Sequence, residues 1–144
     1  MSHGLLAGPG LWDIVNSSIL INWETLMRDF TKYDVTHEAR QLAVKIYSIV
    51  QYFPQEERYA LSQQMRRAVV SIGANIAEGA GRKTEKDFAH FLTQSMGSTC
   101  ELEYLTILSL DLNYINEGTW QSVDSMIQRV KKMLFRFRNS IYPG

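Results

Sequence analysis

Ser71, Asn75, Glu78 and Arg82 follow one another at intervals of four, three and four within the stretch RRAVVSIGANIAEGAGR. On a helix that spacing lines the side chains along one face. A hydroxyl, a carboxamide and a carboxylate–guanidinium pair side by side raise three chemistries. Nucleophilic acyl transfer needs a base beside the serine, but His3, His37 and His90 are scattered away from it. A carboxylate-bound metal would draw on Glu78, Glu101 and Glu103. That class of site uses Glu-x-x-His motifs on facing helices, and the chain has none. Arg82 and His90 are too far apart on a helix to form a ribonuclease pair, and no glycine-rich loop with its lysine is present to cradle phosphate. These residues therefore predict a non-enzymatic protein without catalytic, metal or cofactor site and without a small-molecule substrate. The polar face reads as a tied corner. Glu78, in the last turn of a helix, opposes the dipole and asks for a partner. Arg82 is the local candidate, the free N–H groups opening the next helix are the other, and Asn75 ties the same corner.

Four apolar stripes supply the frame. Val35, Ala39, Leu42, Ile46, Ile49 and Phe53 form the first, with Thr36 as its cap and Phe53-Pro54 as its end. The second starts after Pro54 with Glu56 and Glu57 in its first turn, runs through Leu61, Met65, Ala68, Ile72 and Ile76, and stops at Gly79 as a left-handed terminator. The third opens with Thr84 and Asp87 as a capping box and continues through Phe88, Phe91, Leu92, Leu102, Leu105, Leu108 and Leu112. The fourth follows Asn116-Glu117-Gly118-Thr119 and carries Trp120, Val123, Ile127, Val130, Leu134, Phe137 and Ile141. Four amphipathic helices on short connections, with no convincing strand, predict an all-α, antiparallel up-down-up-down four-helix bundle over residues 36–144. Small residues Ala68, Ser71 and Ala74 on the second helix face Ser95, Gly97 and Ser98 on the third and predict close packing there. Gly73, costing about 1 kcal/mol inside a helix, predicts a kink or tight contact.

The third helix carries a second apolar row, Met96, Cys100, Tyr104 and Ile107. A helix apolar on two sides needs a second partner, so this row predicts self-association. Residues 1–35 form an N-terminal extension: Gly8-Pro9-Gly10 breaks it and predicts little order over residues 1–10, while Trp12, Val15, Ile19, Trp23, Leu26 and Phe30 keep the spacing of a short amphipathic helix and Ile19-Leu20-Ile21 suits a strand equally well. With 45% hydrophobic and 21% charged residues, the 144-residue chain has the composition of one globular domain. Cys100 is the only cysteine, which excludes an internal disulfide and fits a reducing, cytoplasmic setting. No apolar run approaches the roughly 20 residues of a membrane span.

Formal net charge is +0, so no overall field draws the chain to nucleic acid. The balance is local. Residues 83–118 set two lysines against six carboxylates, net −4, whereas residues 119–144 set Arg129, Lys131, Lys132, Arg136 and Arg138 against Asp124, net +4. The two helices attract, and the basic residues are the candidate contacts to RNA phosphates.

The run FPQEERYALSQQMRRAVVSIGANIAEGAGRKTEKDFAHFLTQSMGSTCELEYL resembles the signature of the bacterial 23S rRNA intervening-sequence protein family. The pattern falls on Phe53, Pro54, Glu57, Tyr59, Leu61, Gln64, Arg66, Arg67, Ala68, Ser71, Ile72, Asn75, Ile76, Ala77, Glu78, Gly79, Gly81, Arg82, Phe88, Phe91, Leu92, Gly97, Ser98 and Glu101. The resemblance implies a four-helix bundle assembled as a ring, typically a homopentamer, with Arg66, Arg67, Ser71, Asn75, Glu78, Gly79 and Arg82 at a structural corner or subunit contact. It also implies association with RNA or with an RNA–protein complex, as in the related accessory proteins of diversity-generating retroelements, or an adaptor role without RNA contact. Gly73 departs from the family, which commonly has proline there, and residues 1–35 have no counterpart in it.

Overall fold

The computed structural model describes residues 27–144. Four helices carry the fold: α1 (Asp34–Val50), α2 (Leu61–Ala80), α3 (Glu85–Asp111) and α4 (Glu117–Ile141), with single 3-10 turns at Phe30–Lys32 and Gln55–Glu57. No strand occurs among the described residues. Of the expected N-terminal helix, Trp12 to Leu26 lie outside them, and Phe30 falls in the first 3-10 turn. Each helix packs on its neighbours in sequence and α1 also packs on α4, while the backbones of the diagonal pairs lie farther apart. Cross-contacts run in opposite senses along each pair. Met65 meets Ser109 and Ile72 meets Ser95 between α2 and α3, and Glu38 meets Arg129 between α1 and α4. The arrangement is the antiparallel up-down-up-down bundle.

Most of the stripe residues become the core, but Leu112 is exposed and Phe91 is only half-buried outside it. Leu42, Ile46, Met65, Ile72, Ile76, Phe88, Leu92, Leu102, Val123, Ile127, Val130 and Leu134 are fully buried. At one end Tyr33, Phe88 and Phe137 close the bundle, with ring centroids 4.7 Å (Tyr33–Phe137) and 5.7 Å (Phe88–Phe137) apart. At the other, Phe53 packs on Tyr114 at 5.3 Å, and the Tyr114 hydroxyl donates to the Glu57 carboxylate. Burial together with that carboxylate holds the Tyr114 phenol above its usual pKa.

Helix ends follow local chemistry, with several departures from expectation. Thr84 and Asn116 cap α3 and α4 by accepting from the N–H groups of Asp87 and Thr119. The Asp87 carboxylate does not return to Thr84 as a capping box would have it; it lies 3.8 Å from Arg82. Thr36 is not a cap. It lies inside the first turn of α1, buried, and its hydroxyl has no partner among the described residues. Glu56 and Glu57 belong to the separate 3-10 turn rather than to the start of α2, because the helix begins only at Leu61. The α3–α4 link is a Schellman turn: Asn113 takes φ 62°, its N–H bonds to Leu110 and that of Tyr114 to Ser109.

Gly79 does not end α2 in the left-handed conformation. It is helical and buried, and the capping residue Gly81 has a right-handed φ of −80°. The reason is contact: a Cβ on Gly79 would stand 2.6 Å from the Phe91 Cβ and 3.0 Å from the Phe88 ring. Arg28 donates to the Ala80 carbonyl that ends α2 (3.3 Å) and to the Arg82 carbonyl in the turn after it (2.6 Å), and lies over the Phe88 ring. A cation at a helix C-terminus also opposes the dipole favourably. Gly73 needs neither kink nor close approach, since a Cβ there meets only the Ala39 Cβ at an ordinary 3.9 Å. Gly97 and Ala74 are exposed and take no part in the α2–α3 seam.

Gly79→Ala should therefore destabilise the protein by about 1–3 kcal/mol, the usual overpacking cost. Gly97→Ala, whose Cβ meets nothing within 4 Å, should stabilise it by up to about 1 kcal/mol. Thermal melts of the two variants check the pair of opposite signs.

Candidate functional site

The polar face of α2 meets α3 along a hydrogen-bonded seam. Ser95, fully buried, donates to the Ile72 carbonyl (2.7 Å) and so bonds side chain to backbone across the two helices. Ser71 and Ser98 join their hydroxyls at 2.8 Å, and the Asn75 amide donates to both the carbonyl and the hydroxyl of Ser71 (2.9 Å each). Above this seam a surface groove of about 490 Å³ is lined by Tyr59, Gln64, Arg67, Ser71, Ser98 and Glu101, among others. Gln64 donates to Glu101 across it (3.2 Å). With its amide turned so that the oxygen faces the guanidinium, Gln63 accepts from Arg67 (3.2 Å) and donates to the Tyr59 carbonyl (3.0 Å). Tyr59, Gln63, Gln64 and Glu101 were not marked as site residues by the sequence reading. The signal was available, because Gln64 starts the same polar stripe and Glu101 lies one turn beyond Ser98.

The seven residues expected at the corner divide into three groups. Arg67, Ser71 and Asn75 belong to the groove and its seam. Glu78 and Arg82 form the expected ion pair at 3.0 Å, but both are exposed, and Arg82 also lies over the Phe91 ring. An exposed pair of this kind contributes only about 0–1 kcal/mol. Arg66 points away and donates to the Arg58 carbonyl, tying the preceding turn to α2, while Gly79 is buried in the α2–α3 contact. Chemically this is a surface of donors and acceptors already satisfied by one another. His37 and His90 bond to Gln41 and Gln94 on the outer faces of α1 and α3. No group of acidic, histidine and cysteine side chains among the described residues is arranged to hold a metal ion.

The basic residues of α4 do not form one strip. Arg129 turns to α1 and pairs with Glu38 (3.3 Å). Lys131 turns to α3 and pairs with Glu103 (2.9 Å), which also accepts from Gln128. Arg138 donates to the carbonyls of Tyr142 and Gly144, closing the C-terminus of its own helix. Lys132 and Arg136 remain exposed, with no acidic partner among the described residues. The opposite charges of α3 and α4 thus meet at one ion pair only. Of the expected self-association row, Cys100, Tyr104 and Ile107 are exposed, whereas Met96 is half-buried against the core. Phe135, 63% exposed between Lys132 and Arg136, was missed. It stands next to the stripe residue Leu134, and period counting assigns it no partner.

Hydrogen bonds from Lys131 and then Gln128 hold the Glu103 carboxyl below its ordinary pKa, against the opposing effect of burial. The bond from Glu103 holds the Lys131 ammonium above its own. A carboxyl with a lowered folded pKa contributes stability above its unfolded pKa, about 4.3 for glutamate, and loses it as pH falls through the folded value. Lys131→Met should therefore lower the Tm at neutral pH and converge with the parent in acid, where Glu103 is protonated in both. Melts across the acid range check this; an offset that did not change with pH would assign the loss to packing.

No helix among the described residues is long and apolar enough to cross a membrane. No curated protein matches the chain. A crystal structure of a protein of unknown function from the S23 ribosomal protein family of Bacteroides thetaiotaomicron VPI-5482 matches with a TM-score of 0.68 at 26% identity, covering 72% of this chain and 97% of that one. The family model described as 23S rRNA-intervening sequence protein matches residues 31–136, the span from the turn before α1 almost to the end of α4. With that span, this fold and the α2–α3 motif residues in place, the chain belongs to the 23S rRNA-intervening sequence protein family.

Proposed function

We propose that the protein is a non-enzymatic scaffold that self-associates through the outer face of α3. The observation that carries this reading is the row Cys100, Tyr104 and Ile107: successive turns of one helix hold apolar side chains in water while the opposite side of that helix is sealed in the core. Contiguous apolar surface of this kind on a soluble domain marks an interface. A ring, and in particular a homopentamer, is the closed assembly that the family resemblance implies, and a cytoplasmic location belongs to the same reading. Internal pairing of Arg129, Lys131 and Arg138 leaves α4 little free charge and favours the adaptor role over direct RNA binding. Sedimentation velocity of the full chain should give a mass above one protomer. Tyr104→Asp, at a site 63% exposed in the single chain, should reduce that mass without loss of helix. A monomer at every concentration would remove the proposal.

A second reading rests on Lys132 and Arg136, the two exposed cations of α4 without an acidic partner among the described residues. Repeated around an assembly they would meet RNA phosphates, and binding would weaken with salt as counterions are released. Anisotropy titrations of a structured rRNA fragment, single-stranded RNA and DNA at low and physiological salt test it. Affinity that falls with salt and is lost in the double variant Lys132→Glu/Arg136→Glu supports RNA contact. No binding at low salt leaves the adaptor alone.

A further inference from the structure

A second exposed apolar surface lies across the bundle from the α3 row, and its charge has the opposite sign. On the α1–α4 side a groove of about 570 Å³ is lined by His37, Arg40, Val44, Lys45, Ser48 and Met126, among others. Val44, 71% exposed, stands in it with Arg40 and Lys45 on its two flanks. Neither cation has an acidic partner among the described residues, and Glu38 of the same helix is already paired with Arg129. The outer face of α3 is the reverse. Tyr104 and Ile107 project from it, with Glu101 one turn before Tyr104 and Asp111 two turns after. Glu101 is bonded only to the neutral Gln64 amide and keeps its charge uncompensated. From residue 87 to 111 the helix has no lysine or arginine. Because α1 and α3 occupy diagonal corners of the bundle, the acidic and basic faces lie on opposite sides of the protomer.

We infer that the α3 face of one copy docks in the α1–α4 groove of the next. Tyr104 enters the groove beside Val44, and the Glu101 and Asp111 carboxylates turn to Arg40 and Lys45. The inference rests on the self-association reading and names the surface that receives the α3 row. A ring needs two different patches on each copy, one for each neighbour. Charge selects the second patch. Two α3 faces brought together would set carboxylates against carboxylates, and two α1 faces cations against cations, and such like-charge contacts cost affinity. α3 against α1 sets opposite signs together and covers apolar side chains on both. Lys132 is no substitute for the α1 cations, because it lines the α3–α4 groove with Met96, beside the acidic face itself. Pairing through it would be two-fold, would stop at a dimer and would leave Val44 in water. Shape and length agree as well. A projecting phenol meets a concave surface, and Glu101 to Asp111 spans about 15 Å against about 17 Å from His37 to Ser48, both at about 1.5 Å per residue. The formal net charge of +0 is thus divided between two sides that attract each other in successive copies.

Sedimentation velocity of charge-reversed full chains tests the pairing. The assembled parent should fall to the mass of one protomer in Arg40→Glu/Lys45→Glu and equally in Glu101→Lys/Asp111→Lys, each with unchanged circular dichroism. An equimolar mixture of the two variants should assemble again, because every mixed contact sets opposite signs together. Lys132→Glu/Arg136→Glu should keep the parental mass. A parent that is monomeric at every concentration removes the self-association reading and this inference together. An assembled parent whose mass is unchanged in Arg40→Glu/Lys45→Glu overturns the pairing alone. Crosslinking keeps the test independent of variants that fail to fold. Cys100 is exposed and is the only cysteine, so Val44→Cys places a second thiol on the opposite face. Treated with a short bis-maleimide, Val44→Cys should give a ladder of species beyond the dimer, and the parent no crosslinked product. A Val44→Cys assembly that yields no ladder would equally overturn the pairing, as would a crosslinked parental dimer, which puts α3 against its own copy.

Discussion

The bundle depends on how closely α2 and α3 approach. At Gly79 the two helices leave no room for even a methyl group, because the Phe91 Cβ already occupies the position a Cβ would need. Sixteen residues later in the chain, Ser95 reaches the Ile72 carbonyl from a fully buried position. Distances this short are available only to small side chains, and a buried hydroxyl at such a contact must be bonded to avoid a desolvation cost of about 1–3 kcal/mol. α3 meets that requirement repeatedly. Thr99, Thr106 and Ser109 are buried and each donates to the carbonyl one turn back. The polar content of α3 is therefore part of its packing, and it sets the spacing to which the aliphatic core is fitted.

That close approach explains why the motif residues serve structure first. Ser71, Ser98 and Asn75 complete one another across the seam, and the groove above them is bordered by Gln64, Arg67 and Glu101. Side chains that satisfy one another stay in place. The groove combines one cation, one anion, amides and an exposed phenol.

Electrostatics follow geometry in the same way. The net charges of α3 and α4 are opposite, yet α4 sends its cations in three directions: to α1 through Arg129, to α3 through Lys131 and to its own C-terminus through Arg138. Successive residues on a helix are rotated by about 100°, so a run that reads as one basic strip in sequence is spread around the cylinder. Lys131–Glu103 is the one ion pair between the two charged helices, and it is part-buried, where the interaction is less screened than at the surface.

Much of the fold was legible in the amino-acid order because helical periodicity is local. The stripes from Val35 to Ile141, the cap at Thr84, the Phe53-Pro54 break and the Glu78–Arg82 pair all depend on residues within a few positions of one another. What lay beyond local rules was decided by contacts between distant segments. Gly79 looked like a helix terminator and is a packing glycine because Phe91 comes to it from another helix. Thr36 looked like a cap, yet the helix starts before it and the residue is buried. Arg28 reaches the Ala80 carbonyl at the end of α2 from more than fifty positions away. Composition and spacing determined an all-α bundle and the stripe that would become its seam. The tertiary structure alone decided which small residues touch, which cations remain free and which apolar side chains stay in water, since each depends on the neighbour that another part of the chain provides.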